Sequence, residues 1–349
     1  MKRVFAILAS CIALVACERY FDVSRQVEGS TVWMTFIPSN DYDTTFFILQ
    51  ATTPLVGSAT PVLTRDEQVE VLVNGSPLAM EKSSRSVADK MQYYATTHMF
   101  APGDKVDVVA TVPGTGSVSA SCEVPEPFPA CTWTATLVPR TEYTETLILD
   151  IDYDDPGGRG YYGAVILEYT ESYSQYSDID PETGERSWME IEHSKSTRAM
   201  SACSISNSEG LAAAGESPAA VAPDYYNSLS GSRYGNVQIW CDVPGTSIAG
   251  SRRHMTLASL YSAKPGRTDY YDSRGNLFGW VDRSYKYQVV LYHFSESYYN
   301  YLMAQYNART SDFSELGLTP PSFVYSNVKG GAGVCGSYTI LPSDWFDLP

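Results

Sequence analysis

Short runs of β-branched and aromatic residues alternate with turn residues along most of this chain, and this pattern restricts it to a fold built from strands. Residues 31–37 and 69–73 are two such runs. Asn74 and Gly75 follow the second run directly. This dipeptide favours a two-residue hairpin, because both central positions of a type I′ turn need positive φ. About seven runs over residues 31–124 are typical of an immunoglobulin-like sandwich.

A proline-rich segment at residues 123–129 marks the predicted boundary between two domains. Its three prolines stiffen the chain into an extended spacer. A chain of 349 residues is also long enough for two domains of ~100–200 residues each. We therefore predict an immunoglobulin-like β-sandwich domain over residues 17–126 and a larger β-rich domain over residues 127–349.

One segment of the second domain has a helical pattern. Ser295 is a favourable N-cap, and the acidic side chain of Glu296 suits the positive amino end of a helix. Tyr298 and Leu302 are four residues apart and therefore share one face. We predict a helix near residues 295–308 that packs on a sheet, so the predicted fold class is all-β, with one short helix.

The first residues have the features of a lipoprotein signal. Lys2 and Arg3 precede an apolar run over residues 4–16, which is shorter than the ~20 residues that span a bilayer. The run ends in the lipobox sequence LVAC, in which a small residue precedes a cysteine that accepts a diacylglycerol. We predict a signal peptide over residues 1–16 and acyl chains on Cys17, since two or three chains anchor a protein firmly.

The charge of the chain excludes one class of partner. The net charge is −16, from 24 basic and 40 acidic side chains, and the signal peptide removes two of the basic ones. Nucleic acids require a basic surface against their phosphates, so we expect no binding to nucleic acid. An acidic chain is also repelled by anionic lipid, which leaves the lipid on Cys17 as the predicted contact with the membrane.

Five cysteines follow the lipidated Cys17, and an exported chain permits disulfides between them. They are Cys122, Cys131, Cys203, Cys241 and Cys335. The odd number allows at most two bridges and leaves one thiol over. Cys122 and Cys131 flank the proline-rich segment and form one predicted pair, while Cys203 and Cys241 form a second. Buried free thiols are the open alternative.

The densest group of carboxylates consists of Asp150, Asp152, Asp154 and Asp155. Alternate aspartates on one strand face, followed by a loop, provide the oxygen ligands that calcium prefers. The spacing does not match an EF-hand, because its sixth and twelfth positions here are Asp155 and Tyr161. A turn of sequence DPGG also accounts for Asp155 without a metal. Both interpretations stay open, and no cofactor is predicted.

Motifs of catalysis are missing from the sequence. Residues 331–336 match the pattern GxGxxG, but the chain ends thirteen residues later, where a dinucleotide site would need a helix and a distant acid. Close approach between backbones explains these glycines better. The four histidines form no HExxH motif, and no GxSxG sequence occurs. We predict no catalytic residues.

The carboxyl-terminal sequence PPSFVYSNVKGGAGVCG, residues 320–336, resembles the end of a family of Bacteroidota lipoproteins known as domain of unknown function 4249. That family has a Ser-Asn-Ile/Val step and a stretch similar to GGxGxFG, and Cys335 stands here at its phenylalanine position. Asp155 before the aromatic pair Tyr161 and Tyr162 also resembles the family's Asp-Pro turn.

The resemblance implies a lipoprotein of the outer membrane that faces the cell exterior and is encoded beside TonB-dependent transporters. It supplies no catalytic residues. We therefore expect a non-catalytic protein that binds or docks beside such a transporter, with surface tyrosines as the contact patch, since the chain has 26 tyrosines against 12 phenylalanines. The alternatives are a surface hydrolase of polysaccharide or peptide and an adhesin-like structural module.

The lipid anchor gives a direct prediction. Replacement of Cys17 by serine removes the sulfur that accepts the diacylglycerol, so nearly all of the protein should move from the envelope fraction to the soluble fraction. Cys11→Ser, within the apolar run, is the matched control and should leave the protein in the envelope. Ultracentrifugation and immunoblotting measure the two fractions. A Cys17→Ser chain that still sediments with membranes contradicts the anchor.

Overall fold

The protein is all-β with one helix among the residues that its computed structural model describes. These are residues 32–41, 44–51, 63, 66–83, 91–140, 145–180, 182–200, 204–206, 211–213, 237–242, 245–261, 265–310 and 325–348. The predicted signal peptide and Cys17 lie outside them. None of the helical structure in these ranges is long and apolar enough to cross a membrane. The predicted fold class is confirmed.

Eight strands in the first part of the chain build most of a two-sheet sandwich. They are β1 (Val32–Phe36), β2 (Thr45–Ala51), β3 (Gln68–Val73), β4 (Ser76–Leu78), β5 (Glu81–Lys82), β6 (Met91–Thr96), β7 (Lys105–Val112) and β8 (Gly116–Glu123). One sheet contains the order β1-β2-β6-β5, and the other has the order β4-β3-β7-β8. Asn74 and Gly75 join β3 to β4 with φ of 52° and 77°, as the predicted hairpin requires.

Every second side chain of β7 is buried and contributes to the core of the first sandwich. Val106, Val108, Ala110 and Val112 are buried, while the residues between them are exposed. These four side chains belong to the same apolar cluster as Phe36 of the facing sheet. The period of two in the sequence thus becomes one buried and one exposed face. The immunoglobulin-like arrangement of its strands stays a prediction.

The second part of the chain builds a larger pair of sheets and the helix. Its elements are β9 (Cys131–Pro139), β10 (Glu145–Asp154), β11 (Tyr161–Ile179), β12 (Arg186–Trp188), β13 (Glu192–Ala199), β14 (Ser204–Ser206), β15 (Leu211–Ala213), β16 (Gln238–Asp242), β17 (Arg252–Tyr261), β18 (Gly266–Tyr271), β19 (Leu277–Phe294), α1 (Glu296–Thr310), β20 (Ala332–Cys335) and β21 (Tyr338–Pro342). One sheet has the order β14-β17-β10-β9, and the other is built around β15-β16-β11-β19-β18.

The helix α1 confirms the segment predicted from the sequence. The backbone N–H of Tyr298 donates to the Ser295 hydroxyl at 3.3 Å, which caps the amino end. Tyr298 and Leu302 are buried in an apolar cluster that also contains Val165 of β11 and Ile48 of β2. The helix therefore lies in a layer between the large sheet of the second sandwich and the outer face of the first.

A segment near the carboxyl end joins the two sandwiches. Strand β20 pairs in parallel with β1, from Trp33 opposite Ala332 to Phe36 opposite Cys335, and so becomes the edge strand of the first sandwich. Strand β21 then pairs antiparallel with β19 of the large sheet. The division at residues 126 and 127 stays a prediction, but residues 332–335 of the predicted second domain complete a sheet of the first.

Glycines allow this close approach. Gly333 has a φ of +117°, and a Cβ added to it would overlap the carbonyl oxygen of Met34 on β1. A Cβ on Gly336 would come within 2.7 Å of Cβ of Tyr298 in α1. The GxGxxG sequence therefore serves contact between backbones, as predicted, and opens no helix.

The close approach predicts a steric cost at Gly333. Gly333→Ala should destabilise the protein by about 2 kcal/mol more than Gly116→Ala, because an added methyl group must displace the β1 backbone. Gly116 is the matched control, since its φ is +116° and a Cβ there meets nothing within 4 Å. Urea denaturation of both variants and the wild type measures the difference. Equal losses of stability would show that β20 does not lie against β1.

Candidate functional site

The distal halves of the two longest strands form a sheet that we call the arm, residues 169–179, 186–199 and 266–286. Strands β11 and β19 pair along it, with β12 and β13 on one side and β18 on the other. Burial falls from complete at the start of β11 to almost none at its end, and β13 is exposed along nearly its whole length. Side chains on the arm are therefore available to a partner.

The arm carries an unusual share of the exposed apolar surface. Eight of the thirteen exposed large hydrophobic side chains in the described residues lie on it: Tyr173, Tyr176, Ile179, Trp188, Met189, Ile191, Tyr271 and Phe278. Clustered apolar groups on a protein surface mark sites of interaction, whereas scattered single ones need no explanation. Tyrosine, tryptophan, phenylalanine and methionine are also the residues enriched at protein interfaces.

Contacts across the strands hold the aromatic rings of the arm in place. Tyr173 stacks on His193 with ring centroids 4.4 Å apart and an angle of 4° between the planes. Glu171 binds Nε2 of His193 at 2.8 Å and Nζ of Lys195 at 3.3 Å. The carboxylate of Glu171 and the ammonium group of Lys195 therefore lie beside the stacked rings and border them with both signs of charge.

A second aromatic side chain on the arm, Trp280, is also held by polar and charged neighbours. The indole N–H of Trp280 donates to Oε1 of Gln175 at 3.2 Å, and the guanidinium of Arg267 lies 4.6 Å from the centre of the Trp280 ring. The ring of Tyr176 lies over Gly279, where a Cβ would overlap it. Rings that are fixed before binding lose little conformational entropy when a partner arrives.

A cavity of about 730 Å³ lies where the first sandwich meets the amino end of α1. Its walls include Glu123, Arg159, Tyr161, Glu296 and Asn300. The hydroxyl of Tyr161 donates to Oε1 of Glu296 at 2.7 Å, and the guanidinium of Arg159 lies 5.2 Å from the Tyr161 ring centre. Burial, followed by the hydrogen bond to Glu296, raises the pKa of Tyr161 well above its usual range.

His293 belongs to the same wall. Its Nδ1 donates to the backbone carbonyl of Glu126 at 2.6 Å. Burial lowers the pKa of His293 below its ordinary value, so the ring is neutral at neutral pH. The cavity therefore presents two carboxylates, Glu123 and Glu296, and one guanidinium to a ligand.

The predicted calcium ligands have protein partners in the structure. Asp152 lies 3.0 Å from Nδ1 of His254, and Asp150 lies 3.5 Å from its Nε2. Asp154 binds Arg252 at 3.2 Å. Across the described ranges, no three histidine, cysteine, aspartate or glutamate side chains are grouped so that they could hold a metal ion.

Asp155 differs from the other three aspartates because it is buried. Its Oδ2 accepts from Nε of Arg253 at 2.6 Å, and its Oδ1 accepts from the backbone N–H of Gly157 and from the hydroxyl of Ser247, both at 2.8 Å. Nη1 of Arg253 lies 3.7 Å from Oδ1 of Asp242, which is also buried. The DPGG turn is thus held by a buried network of three charges.

The two carboxylates of this network differ in their pKa. Burial favours a higher pKa for Asp155, but hydrogen bonds from Gly157, Ser247 and Arg253 outweigh it and lower the pKa. For Asp242 burial dominates and raises the pKa. Nothing in the sequence spacing indicates that Arg253 and Asp242 meet Asp155, because they come from separate strands.

Three of the four cysteines in the two predicted disulfides lie in the described residues. Cys122, Cys131 and Cys241 are free thiols, and Cys203 lies outside the described residues. Cys122 packs against the core of the first sandwich, whereas Cys131 packs against the core of the second. The sulfur of Cys122 lies 3.4 Å from that of Cys335.

The chain is an all-β protein in which the glycine-rich strand β20 joins two sandwiches and a buried charge network holds an Asp-Pro turn. The chain belongs to the family described as Domain of unknown function (DUF4249), whose model matches residues 32–341. The predicted domain family is therefore confirmed, while its description as a family of Bacteroidota lipoproteins stays a prediction. A comparison with curated proteins finds no match.

The buried network predicts a large difference between two neighbouring arginines. Arg253→Met leaves two buried carboxylates without their cation and should cost about 3–5 kcal/mol of stability. Arg252→Met is the matched control and should cost less than about 1 kcal/mol, because Arg252 and Asp154 are largely exposed. Chemical denaturation at pH 7 measures both. Similar costs would contradict a buried network.

The cost of Arg253→Met should also depend on pH. The pKa of Asp242 is already raised by burial, and loss of the Arg253 guanidinium removes a positive charge that lowers it, so in Arg253→Met it rises further above its value in the unfolded chain. A raised carboxylate pKa destabilises the folded state fully above that pKa and no longer does so below the unfolded value. The deficit should therefore shrink as the pH falls from 7 towards 4, while that of Arg252→Met stays small.

Proposed function

We propose that this protein is a non-catalytic lipoprotein of the outer-membrane surface that docks beside a TonB-dependent transporter. Acyl chains on Cys17 hold it at the membrane, and the arm contacts the transporter. The observation that carries the proposal is the concentration of exposed aromatic and aliphatic side chains on the arm. The lipobox supports the lipid anchor, and the resemblance to a lipoprotein family implies the outer membrane.

The chemistry of the arm suits a protein partner. A few aromatic side chains supply most of the binding energy of protein interfaces, and polar groups around them exclude water. On the arm, Tyr173 and Trp280 are held by contacts with neighbouring strands. The ion pairs Glu171–Lys195 and Arg267–Asp269 border them. The net charge of −16 favours a partner surface that is neutral or basic.

The alternative function, a surface hydrolase, would use the cavity and not the arm. Glycoside hydrolysis uses two carboxyl groups on either side of the scissile bond, and Glu123 and Glu296 both line the cavity. Glu296 already accepts a hydrogen bond from Tyr161, whose raised pKa keeps it a donor. An adhesin-like module rests on the sandwich alone, and fold by itself does not specify function.

Replacement of two exposed aromatics on the arm should release the transporter. In Trp188→Ala/Tyr271→Ala, the amount of transporter that co-purifies from detergent-solubilised envelopes should fall about tenfold or more, because aromatic anchors each contribute about 2 kcal/mol. Met99→Ala/Ile248→Ala is the matched control, since these side chains are equally exposed and lie off the arm. Quantitative mass spectrometry of the eluates gives the ratio.

Three outcomes would contradict docking by the arm. The wild-type chain could retain no transporter at all, or both double variants could retain it equally. The purified wild type could also release fragments from polysaccharide or peptide. If Glu296→Gln abolishes that release, the cavity is a catalytic site and the hydrolase replaces the docking protein.

A further inference from the structure

We propose that Cys122 and Cys335 form a disulfide that links β8 to β20 across the two sheets of the first sandwich. The two residues are 213 positions apart in the sequence, and their sulfurs lie 3.4 Å apart. At this separation the two cysteines form no recognisable sequence motif. The site is therefore visible only in the structure, and it lies outside the arm.

The two cysteines lie on facing sheets of one core. Cys122 is on β8, opposite Val106 of β7, and Cys335 is on β20, opposite Phe36 of β1. Strand β20 belongs to one sheet of the first sandwich and β8 to the other. Both side chains pack in the same apolar cluster. A bond between them would be a bridge across the sandwich.

Hydrogen bonds fix the backbone beside the pair. Asn327 receives the backbone N–H of Cys335 at 3.0 Å and donates its amide to the carbonyl oxygen of Cys335 at 2.7 Å. Ser119 and Lys329 exchange two backbone hydrogen bonds, at 3.0 Å and 2.8 Å, which hold β8 against the segment that leads into β20. Bond formation at about 2.05 Å therefore requires side-chain rotation and a shift of little more than 1 Å.

Exposure assigns different roles to the two thiols. Cys335 is fully buried, whereas Cys122 is partly exposed. The Cys122 thiolate attacks an external disulfide, forms a mixed disulfide and releases one thiol. The Cys335 thiolate then attacks the sulfur of Cys122 and releases the second thiol. The two cysteines lose two electrons and two protons in total, and the external disulfide is reduced to two thiols.

The bridge would close a very long loop. Cross-linking residues far apart in sequence restricts the unfolded chain strongly, so oxidation should raise the midpoint of thermal unfolding by about 5 °C or more. It would also fasten the segment that joins the two sandwiches.

Peptide mapping of the full chain tests the bridge. The purified protein is incubated with glutathione disulfide, its remaining thiols are blocked with N-ethylmaleimide in denaturant, and it is digested with trypsin and a glutamate-specific protease. Cleavage after Glu123 separates Cys122 from Cys131. The expected product is residues 106–123 linked to residues 330–349, which dithiothreitol separates.

Two variants make the result decisive. Cys131→Ser should keep both the linked peptide and the rise in the unfolding midpoint, whereas Cys122→Ser should lose both. Reduction of the wild type gives the same midpoint comparison with no mutation, so poor folding of a variant does not obscure the outcome. Recovery of Cys122 and Cys335 as maleimide adducts from the oxidised wild type would overturn the proposal, and so would a link between Cys122 and Cys131.

Discussion

Parallel pairing of β20 with β1 is the interaction on which the arrangement of the two sandwiches depends. It brings the carboxyl-terminal segment to the edge of the first sandwich, and a few residues later β21 extends the large sheet of the second. The helix α1 lies between the two, capped by Ser295, whose hydroxyl also accepts the N–H of Ser337 from that segment at 2.9 Å. Gly333 and Gly336 permit this contact because they have no side chain.

Local patterns in the sequence predicted local structure well. Asn74 and Gly75 specify their turn through backbone conformation, and Ser295 specifies the start of α1 through a single side-chain bond. Both signals lie within a few residues of the structure that they determine. The glycines of residues 331–336 also match their interpretation as sites of close backbone approach, since Gly333 lies against β1 and strand β21 follows Gly336.

Long-range partners could not be predicted in the same way. Asp155 was identified as part of a turn, but its cation Arg253 comes from a strand almost a hundred residues later. Proximity in the sequence favours pairing Cys122 with Cys131, whereas the structure places the sulfur of Cys122 3.4 Å from that of Cys335. The arm is not predictable from the sequence either, because Tyr173 and Tyr176 resemble other strand residues there, and only the structure shows that both side chains are more than one third exposed.

During synthesis β20 is made long after β1, so the first sandwich of a newly made chain must wait for its edge strand. Asn40 and Ile340 contact each other although they are 300 residues apart. Pairings at such separation form slowly, because a large loop must close first. Until then the edge of β1 presents unsatisfied backbone groups, which are a template for aggregation. A product that stops short of the last twenty residues therefore carries an open sheet edge that chaperones and proteases recognise.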